Sequence, residues 1–202
     1  MGRYTGPQGK INRRLGMVVF AKKGAVRAFE RRPAAPGMHA VRGKLSNYGH
    51  ALREKQKIKY FYGMWERQLR RFFEMAARKP GDTGKELLVY CERRLDNAIC
   101  SAGVTLTRPQ ARQGVSHGHF YVNGRRVNIP SYLVKVGDVI SVKPQPPLEE
   151  LYRAIASSHS VQPPSWLEVN QTKQTITILR LPGSDEAQLQ VDMQAVIEFL
   201  SR

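Results

Sequence analysis

The sequence predicts an α+β fold: a helical amino-terminal domain with an extended basic arm, then a small domain of two helices packed on a short antiparallel sheet. Three observations predict it. Apolar residues recur every three or four positions from Ile58 to Ala76, as in amphipathic helices. Asn123-Gly124, a hairpin turn signal, separates two short alternating segments. Glycine and proline are dense in the first 45 residues and disfavour long helices and strands there.

Residues 1–45 are expected to form the extended basic arm. Eleven basic side chains and one acidic side chain lie among ten glycines and prolines. Such an arm is either disordered or ordered by contact with phosphates. We favour the second interpretation, because Ile11, Leu15 and residues 18–20 offer apolar side chains that can pack.

Residues 46–90 are expected to be the helical part of the amino-terminal domain. A helical pattern begins after Ser46, Gly63 divides it into two helices, and Pro80 ends the second. The outward face carries an excess of basic residues: Lys55, Lys57, Lys59, Arg67, Arg70, Arg71 and Arg78.

Such a basic face is often merely solvated. The spacings from Glu66 to Arg70 and from Glu74 to Arg78 are those of helical ion pairs. Because basic residues far outnumber acids here, we favour phosphate contact. Trp65, like Trp166 later in the chain, is expected to anchor the core.

Residues 91–180 are predicted to form the small domain with its sheet. A helix that follows Thr83 has an apolar face that continues to Ala102. A shorter helix opens at Thr107, with Gln110 completing a capping box. Its amino terminus offers backbone amides to a phosphate.

The hairpin comprises residues 119–129. Pairing about its turn places Phe120 opposite Val127 on an apolar face. The opposite face is polar, basic and aromatic: His119, Tyr121, Arg126 and Asn128. A further strand is expected at 139–142.

The last part of the chain changes character. A helix over 148–156 and strands over 166–169 and 175–181 are predicted, followed by a carboxy-terminal tail and helix over 181–202 that packs back on the body. Acidic residues outnumber basic ones from residue 148 onward, by 7 to 4. This balance favours packing on the protein or on a basic neighbour.

The overall charge indicates a polyanionic partner. The chain has 33 Lys and Arg against 16 Asp and Glu, and residues 1–80 alone hold 20 basic and 4 acidic side chains. Nucleic acid is the commonest such partner. A membrane surface is the weaker interpretation, since the basic residues do not form one amphipathic helix. Without a secretory segment, a long apolar run or a CxxC pair, we expect an intracellular protein without membrane contact or disulfides.

Residues 92–142 resemble the RNA-binding domain of bacterial-type ribosomal protein S-four, a family of the small ribosomal subunit. The segments RRLDN, ARQGVSHGH, VNGRRVNIPSY and GDVISV carry the resemblance in order and spacing. Pseudouridine synthases, some RNA methyltransferases and tyrosyl-tRNA synthetases also contain such a domain. The flanking segments GRYTGP, LREKQKIKYFYGMWERQ, PSWLEV and VIEFLSR resemble the ribosomal family itself.

The resemblance implies a structural protein that binds the five-prime region of small-subunit ribosomal RNA at a multi-helix junction, nucleates assembly and contributes to translational accuracy. It implies contact with the neighbouring small-subunit protein S-five and, in some relatives, with the protein's own messenger RNA. The implied location is the small ribosomal subunit, in the cytoplasm or in an organelle. The expected RNA contacts are Arg3, Arg13, Arg14, Lys44, Arg53, Lys57, Arg67, Arg70, Arg71, Arg93, Arg94, Thr107, Arg108, Arg112, His117, His119 and Arg126.

No cofactor, metal or catalytic site is expected. Some relatives bind zinc through amino-terminal cysteines, but no cysteine precedes Cys91 here. His117 and His119 have neither a third metal ligand nor a nucleophile with an orienting group nearby. The alternatives are an RNA-modifying enzyme, for which no catalytic domain is apparent, and a regulator that binds messenger RNA or DNA.

Overall fold

The computed structural model describes residues 4–38, 44–158, 162–170, 172–183, 186–187 and 189–201. The chain divides into two compact units. The central unit holds residues 85–187, and the amino-terminal unit holds residues 2–84 together with 188–202.

In chain order the described helices and strands are α1 (Gln8–Leu15), α2 (Lys23–Arg31), α3 (Asn47–Phe61), α4 (Glu66–Ala77), α5 (Thr83–Glu92), α6 (Leu95–Ser101), α7 (Arg108–Ser116), β1 (Phe120–Val122), β2 (Arg125–Arg126), β3 (Val139–Val142), α8 (Pro146–Ser158), β4 (Leu167–Asn170), β5 (Thr175–Ile178) and α9 (Met193–Ser201). The combination of a helical amino-terminal domain with a small antiparallel sheet confirms the predicted α+β class.

Two short helices, α1 and α2, lie within the segment that was predicted to be extended. Asn12 on α1 is buried and bonds to the segment between the two helices: its Nδ2 donates to the Phe20 carbonyl at 3.1 Å, and its Oδ1 accepts from the Val19 and Phe20 amides. A small apolar core forms around this turn from Ile11, Leu15, Val19, Phe20 and Ala25. Local packing therefore supports helices that the glycine content argued against.

Helices α3 and α4 occur where the apolar pattern predicts them. Ser46 caps α3 by accepting from the Gly49 amide, and Gly63 adopts a φ of 61° between the two helices. The ion pair between Glu66 and Arg70, which the spacing allowed within α4, does not form. Glu66 instead bonds to Lys55 and lies 3.6 Å from Lys59, both on α3, and among the described residues Arg70 has no acidic partner.

Helix α9 packs on α3. Glu54, which is buried on α3, accepts from the Asp192 amide at 3.2 Å, just before α9 begins. The Lys55 ammonium lies 4.2 Å from the centre of the Phe199 ring on α9. Lys55 is therefore buried between the helices, not on the outward face where the sequence placed it.

The predicted helix from Thr83 to Ala102 is interrupted after Glu92. Arg94 is extended and forms an antiparallel bridge with Leu133. The Val134 amide donates to the Arg93 carbonyl, and the Leu95 amide donates to the Tyr132 carbonyl, both at 2.9 Å. Backbone groups at the break thus pair with a distant segment, which a local apolar pattern cannot reveal.

The sheet of the central unit is antiparallel, with strand order β2-β1-β3-β5-β4. Asn123 and Gly124 have φ values of 51° and 75°, as a type I′ turn requires, which confirms the predicted hairpin. Strand β3 has the predicted bounds. The inner face of the sheet packs with α6, α7 and α8 around a core that includes Trp166, which is 1% exposed.

Trp65 does not anchor the core as expected. It precedes α4 and is 50% exposed. None of the described helices has the length and apolar character needed to cross a membrane.

Candidate nucleic-acid interface

A buried ion cluster lies at the break between α5 and α6. Arg94 is 0% exposed, and it donates through Nε and Nη2 to the two carboxylate oxygens of Asp96 at 2.9 and 2.6 Å. Arg112 on α7 lies 3.7 Å from the same carboxylate and is also buried. Burial lowers the pKa of Arg112, an effect that Asp96 opposes.

This geometry corrects the expectation for Arg94 and Arg112. Both guanidinium groups are committed to Asp96 inside the fold, so neither is presented to a phosphate at the surface. Arg112 joins α7 to α6 through Asp96, and Arg94 bonds to the same carboxylate from the residue before α6. The sequence suggested otherwise because an arginine's burial depends on its tertiary neighbours.

A series of hydrogen bonds through Asn97 positions Arg108 at the start of α7. Asn97 donates to the carbonyl and the carboxylate of Glu92, and its Oδ1 accepts from Arg108 Nε at 2.7 Å. Nearby, Arg93 donates through Nε to the Val134 carbonyl at 3.0 Å. Arg93 and Arg108 both remain partly exposed.

The amino terminus of α7 offers fewer amides than expected. Thr107 caps the helix by accepting from the Gln110 amide, and Pro109 has no amide hydrogen. Gln110 Oε1 accepts from the Leu106 amide instead of completing the expected box with Thr107. This end of α7 therefore presents Arg108 and the positive end of the helix dipole rather than a row of free amides.

Three other residues that were predicted to contact RNA lie near the carboxy-terminal end of α7. His117 and Arg126 are exposed, and Arg126 Nη2 approaches the His117 carbonyl at 3.4 Å. His119 Nδ1 lies 2.9 Å from Tyr152 Oη. Burial, assisted by His117 and Lys143, lowers the pKa of His119 below its usual value.

In the amino-terminal unit, α4 presents the clearest cationic surface. Arg67, Arg70 and Arg71 are all exposed, and within the described part of the chain none has an acidic partner. Unpaired arginines with free donors suit phosphate oxygens. Their exposure agrees with the outward face that the sequence predicted, and their contact with RNA stays a prediction.

The remaining predicted contacts differ in availability. Arg14 and Lys44 are exposed and Arg53 is partly exposed. Arg13 donates to the Ala34 and Ala35 carbonyls, and Lys57 pairs with Glu54, so both are engaged within the fold. Arg3 lies outside the described residues.

The list of RNA contacts predicted from the sequence did not include a row of exposed cations on α2. Lys23, Arg27 and Arg31 follow one another at intervals of four, are exposed, and have no acidic partner among the described side chains. Residues four apart share one face of a helix. The spacing was visible in the sequence, but the segment was interpreted as extended.

Comparison with known proteins covers both units. Residues 3–92 match the family described as "Ribosomal protein S4/S9 N-terminal domain", and residues 93–140 match the family described as "S4 domain". A protein of Rhodopirellula baltica is 50% identical over 202 residues, and one of Chloroflexus aurantiacus is 45% identical over 208 residues. A protein of Thermodesulfovibrio yellowstonii is 46% identical over 208 residues. All three are named small ribosomal subunit protein uS4, and in each case both chains are covered completely.

Proposed function

The chain belongs to the family of small ribosomal subunit protein uS4, and we propose that it binds a multi-helix junction of small-subunit ribosomal RNA and nucleates assembly there. Members of this family are structural, non-enzymatic components of the ribosome. The family assignment confirms the resemblance on which the sequence-based prediction rested.

The observation that carries this proposal is that buried basic side chains have carboxylate partners, whereas, in the described part of the chain, the exposed basic side chains of two helices do not. Buried basic residues, such as Arg94 and Lys55, have carboxylate partners. The exposed arginines of α4 and the row of exposed cations on α2 have none among the described residues. Surface cations without counter-charges repel one another, and phosphates relieve that repulsion while releasing counterions.

The chemistry of the last quarter of the chain supports a protein partner. Residues 148–202 hold 7 acidic and 4 basic side chains, which is unfavourable for contact with RNA. We assign the contact with the neighbouring small-subunit protein S-five to this part of the chain. A contribution to translational accuracy, binding to the protein's own messenger RNA, and a cytoplasmic or organellar ribosome as its location belong to the same proposal.

Co-sedimentation tests the proposal in cells. A tagged full-length chain, expressed in a bacterium, is expected to migrate with small subunits and whole ribosomes in a sucrose gradient. Replacing Arg67, Arg70 and Arg71 with Gln should shift the chain toward the top of the gradient. A wild-type chain that stays at the top would contradict the proposal.

A further inference from the structure

One row of side chains crosses the solvent face of the sheet from edge to edge. The strand register aligns five positions, and all of them are exposed or partly exposed. The adjacent row, which includes Val122, Ile140 and Ile176, is buried on the inner face. From β2 to β4 the outer row consists of Arg126, Tyr121, Ser141, Thr175 and Asn170.

Charge is distributed unevenly around this row. Arg125 and Arg126 lie at the β2 edge, and Lys143, whose amide donates to the His119 carbonyl, follows β3 nearby. In the described residues none of these three cations bonds to a carboxylate. The opposite edge carries Glu168, which is exposed on β4. Because Lys173 is exposed in the β4–β5 turn, the β4 edge is mixed in charge, and the β2 edge is the one that favours a polyanion.

The Arg126 guanidinium packs against Gly118. A Cβ at Gly118 would overlap Arg126 Nε and would lie 2.8 Å from Cζ, so the guanidinium occupies the space that any larger residue would fill. Gly118 also has a φ of 74°, which favours glycine. With the His117 carbonyl as a further contact, one side of the Arg126 head is fixed against backbone while the residue as a whole stays exposed.

Tyr121 is the cross-strand neighbour of Arg126 on this open face. A planar cation, an aromatic ring and a neighbouring hydroxyl at Ser141 together resemble the surfaces that bind unpaired nucleotides. Proteins recognise single-stranded RNA by stacking bases on aromatic rings or arginine planes and by bonding to the base edges. A paired base cannot reach such a surface, because both of its faces are already stacked.

We propose that Tyr121 and Arg126 form a stacking site for an unpaired base of the bound RNA, with Ser141 placed to bond the base edge. The site lies at the opposite end of α7 from Arg108. Nine helical residues separate the two ends by about 14 Å. The inference rests on the proposed function, because it presumes that RNA is the ligand of this unit.

The test uses the full-length chain and two probes: five-prime-domain ribosomal RNA, and a single-stranded RNA decamer with one 2-aminopurine. Tyr121→Thr should weaken binding to both probes roughly 5-fold or more and abolish quenching of the 2-aminopurine. Tyr121→Phe should bind as the wild type does. The log–log salt slope should stay unchanged in both variants, since stacking releases no counterions.

Val139→Thr is the matched control, because Val139 is exposed on the same sheet face and has no ring. Undiminished binding and quenching in Tyr121→Thr would overturn the inference and leave the proposed function intact. Competition by poly-glutamate as effective as that by RNA would assign the surface to an acidic protein instead. If the wild type fails to bind the ribosomal RNA, both the inference and the proposed function fall.

Discussion

At the scale of single residues, burial separates two adjacent arginines that look alike in the sequence. Arg93 and Arg94 were both expected to contact RNA. Arg93 is partly exposed, while Arg94 is enclosed and bonded to Asp96. The difference arises because residues 93–94 pair with 132–134, which turns one side chain inward and the other outward.

Replacement by alanine should distinguish these roles. Arg94→Ala leaves the Asp96 carboxylate without its main partner and should lower the free energy of unfolding by about 3–5 kcal/mol. Arg93→Ala should change it by less than about 1 kcal/mol while weakening RNA binding. Urea denaturation and RNA titration measure the two effects. A stable Arg94→Ala variant with impaired RNA binding would restore the original expectation for Arg94.

The His119 environment predicts a pH dependence of stability. The pKa of His119 is lowered in the folded chain, whereas the unfolded side chain titrates near 6.5. Below about pH 6.5 the unfolded state therefore binds more protons than the folded state. As the pH is lowered, the free energy of unfolding should decrease, until the pH is below the pKa of His119 in the folded chain.

His119→Gln should reduce this acid-dependent loss. The comparison is made by urea denaturation of wild type and variant at pH 7.5, 6.5 and 5.5. Since every other titrating group is shared, the difference between the two curves isolates His119. Parallel curves would show that His119 does not contribute.

At the scale of secondary-structure elements, the exposed cations of α2, which were not among the residues predicted to contact RNA, can be tested for phosphate contact. Replacing Lys23, Arg27 and Arg31 with Gln preserves helix propensity but removes three exposed charges. If each contacts a phosphate, the log–log salt slope for RNA binding should become shallower by about 2–3.

The matched control for α2 lies in the acidic part of the chain. Arg153 and Lys173 are exposed there, and replacing both with Gln should leave the slope unchanged. An equal change in slope for the two sets would mean that charge acts through the whole molecule and not through a defined surface.

Elements specified by local chemistry could be predicted from the sequence. The hairpin follows from Asn123-Gly124, which adopt positive φ at low cost, and β3 follows from its alternating residues. The break after Glu92 could not be predicted, because the apolar periodicity continues across it and the competing backbone bonds come from residues about forty positions away. Similarly, α1 and α2 depend on Asn12, whose bonds to residues 19 and 20 form only in the folded chain.

For the candidate interface, the sequence located the basic segments but not the availability of each side chain. The α4 arginines were predicted correctly as exposed. Arg13, Lys57, Arg94 and Arg112 are instead engaged by carbonyls or carboxylates that folding brings near. Charge counts identify a polyanion-binding protein, while packing decides which cations bind the polyanion.

At the scale of the whole molecule, charge follows a gradient along the chain. Residues 1–80 hold 16 more basic than acidic side chains, and residues 148–202 hold 3 more acidic than basic ones. This distribution is the basis of the proposal that the basic part contacts RNA and the acidic part contacts a protein. On that proposal, binding through phosphates should depend steeply on salt, and selectivity should depend on the shape of the RNA junction.

The most direct test of this account is binding to the five-prime domain of small-subunit ribosomal RNA, titrated across salt concentrations with an unstructured RNA of equal length as competitor. Eight phosphate contacts predict a log–log slope of roughly −6 to −7. We expect binding that survives excess competitor and is lost when the helical junction is disrupted. Binding no tighter than that of the competitor, or insensitive to the junction, would contradict the account.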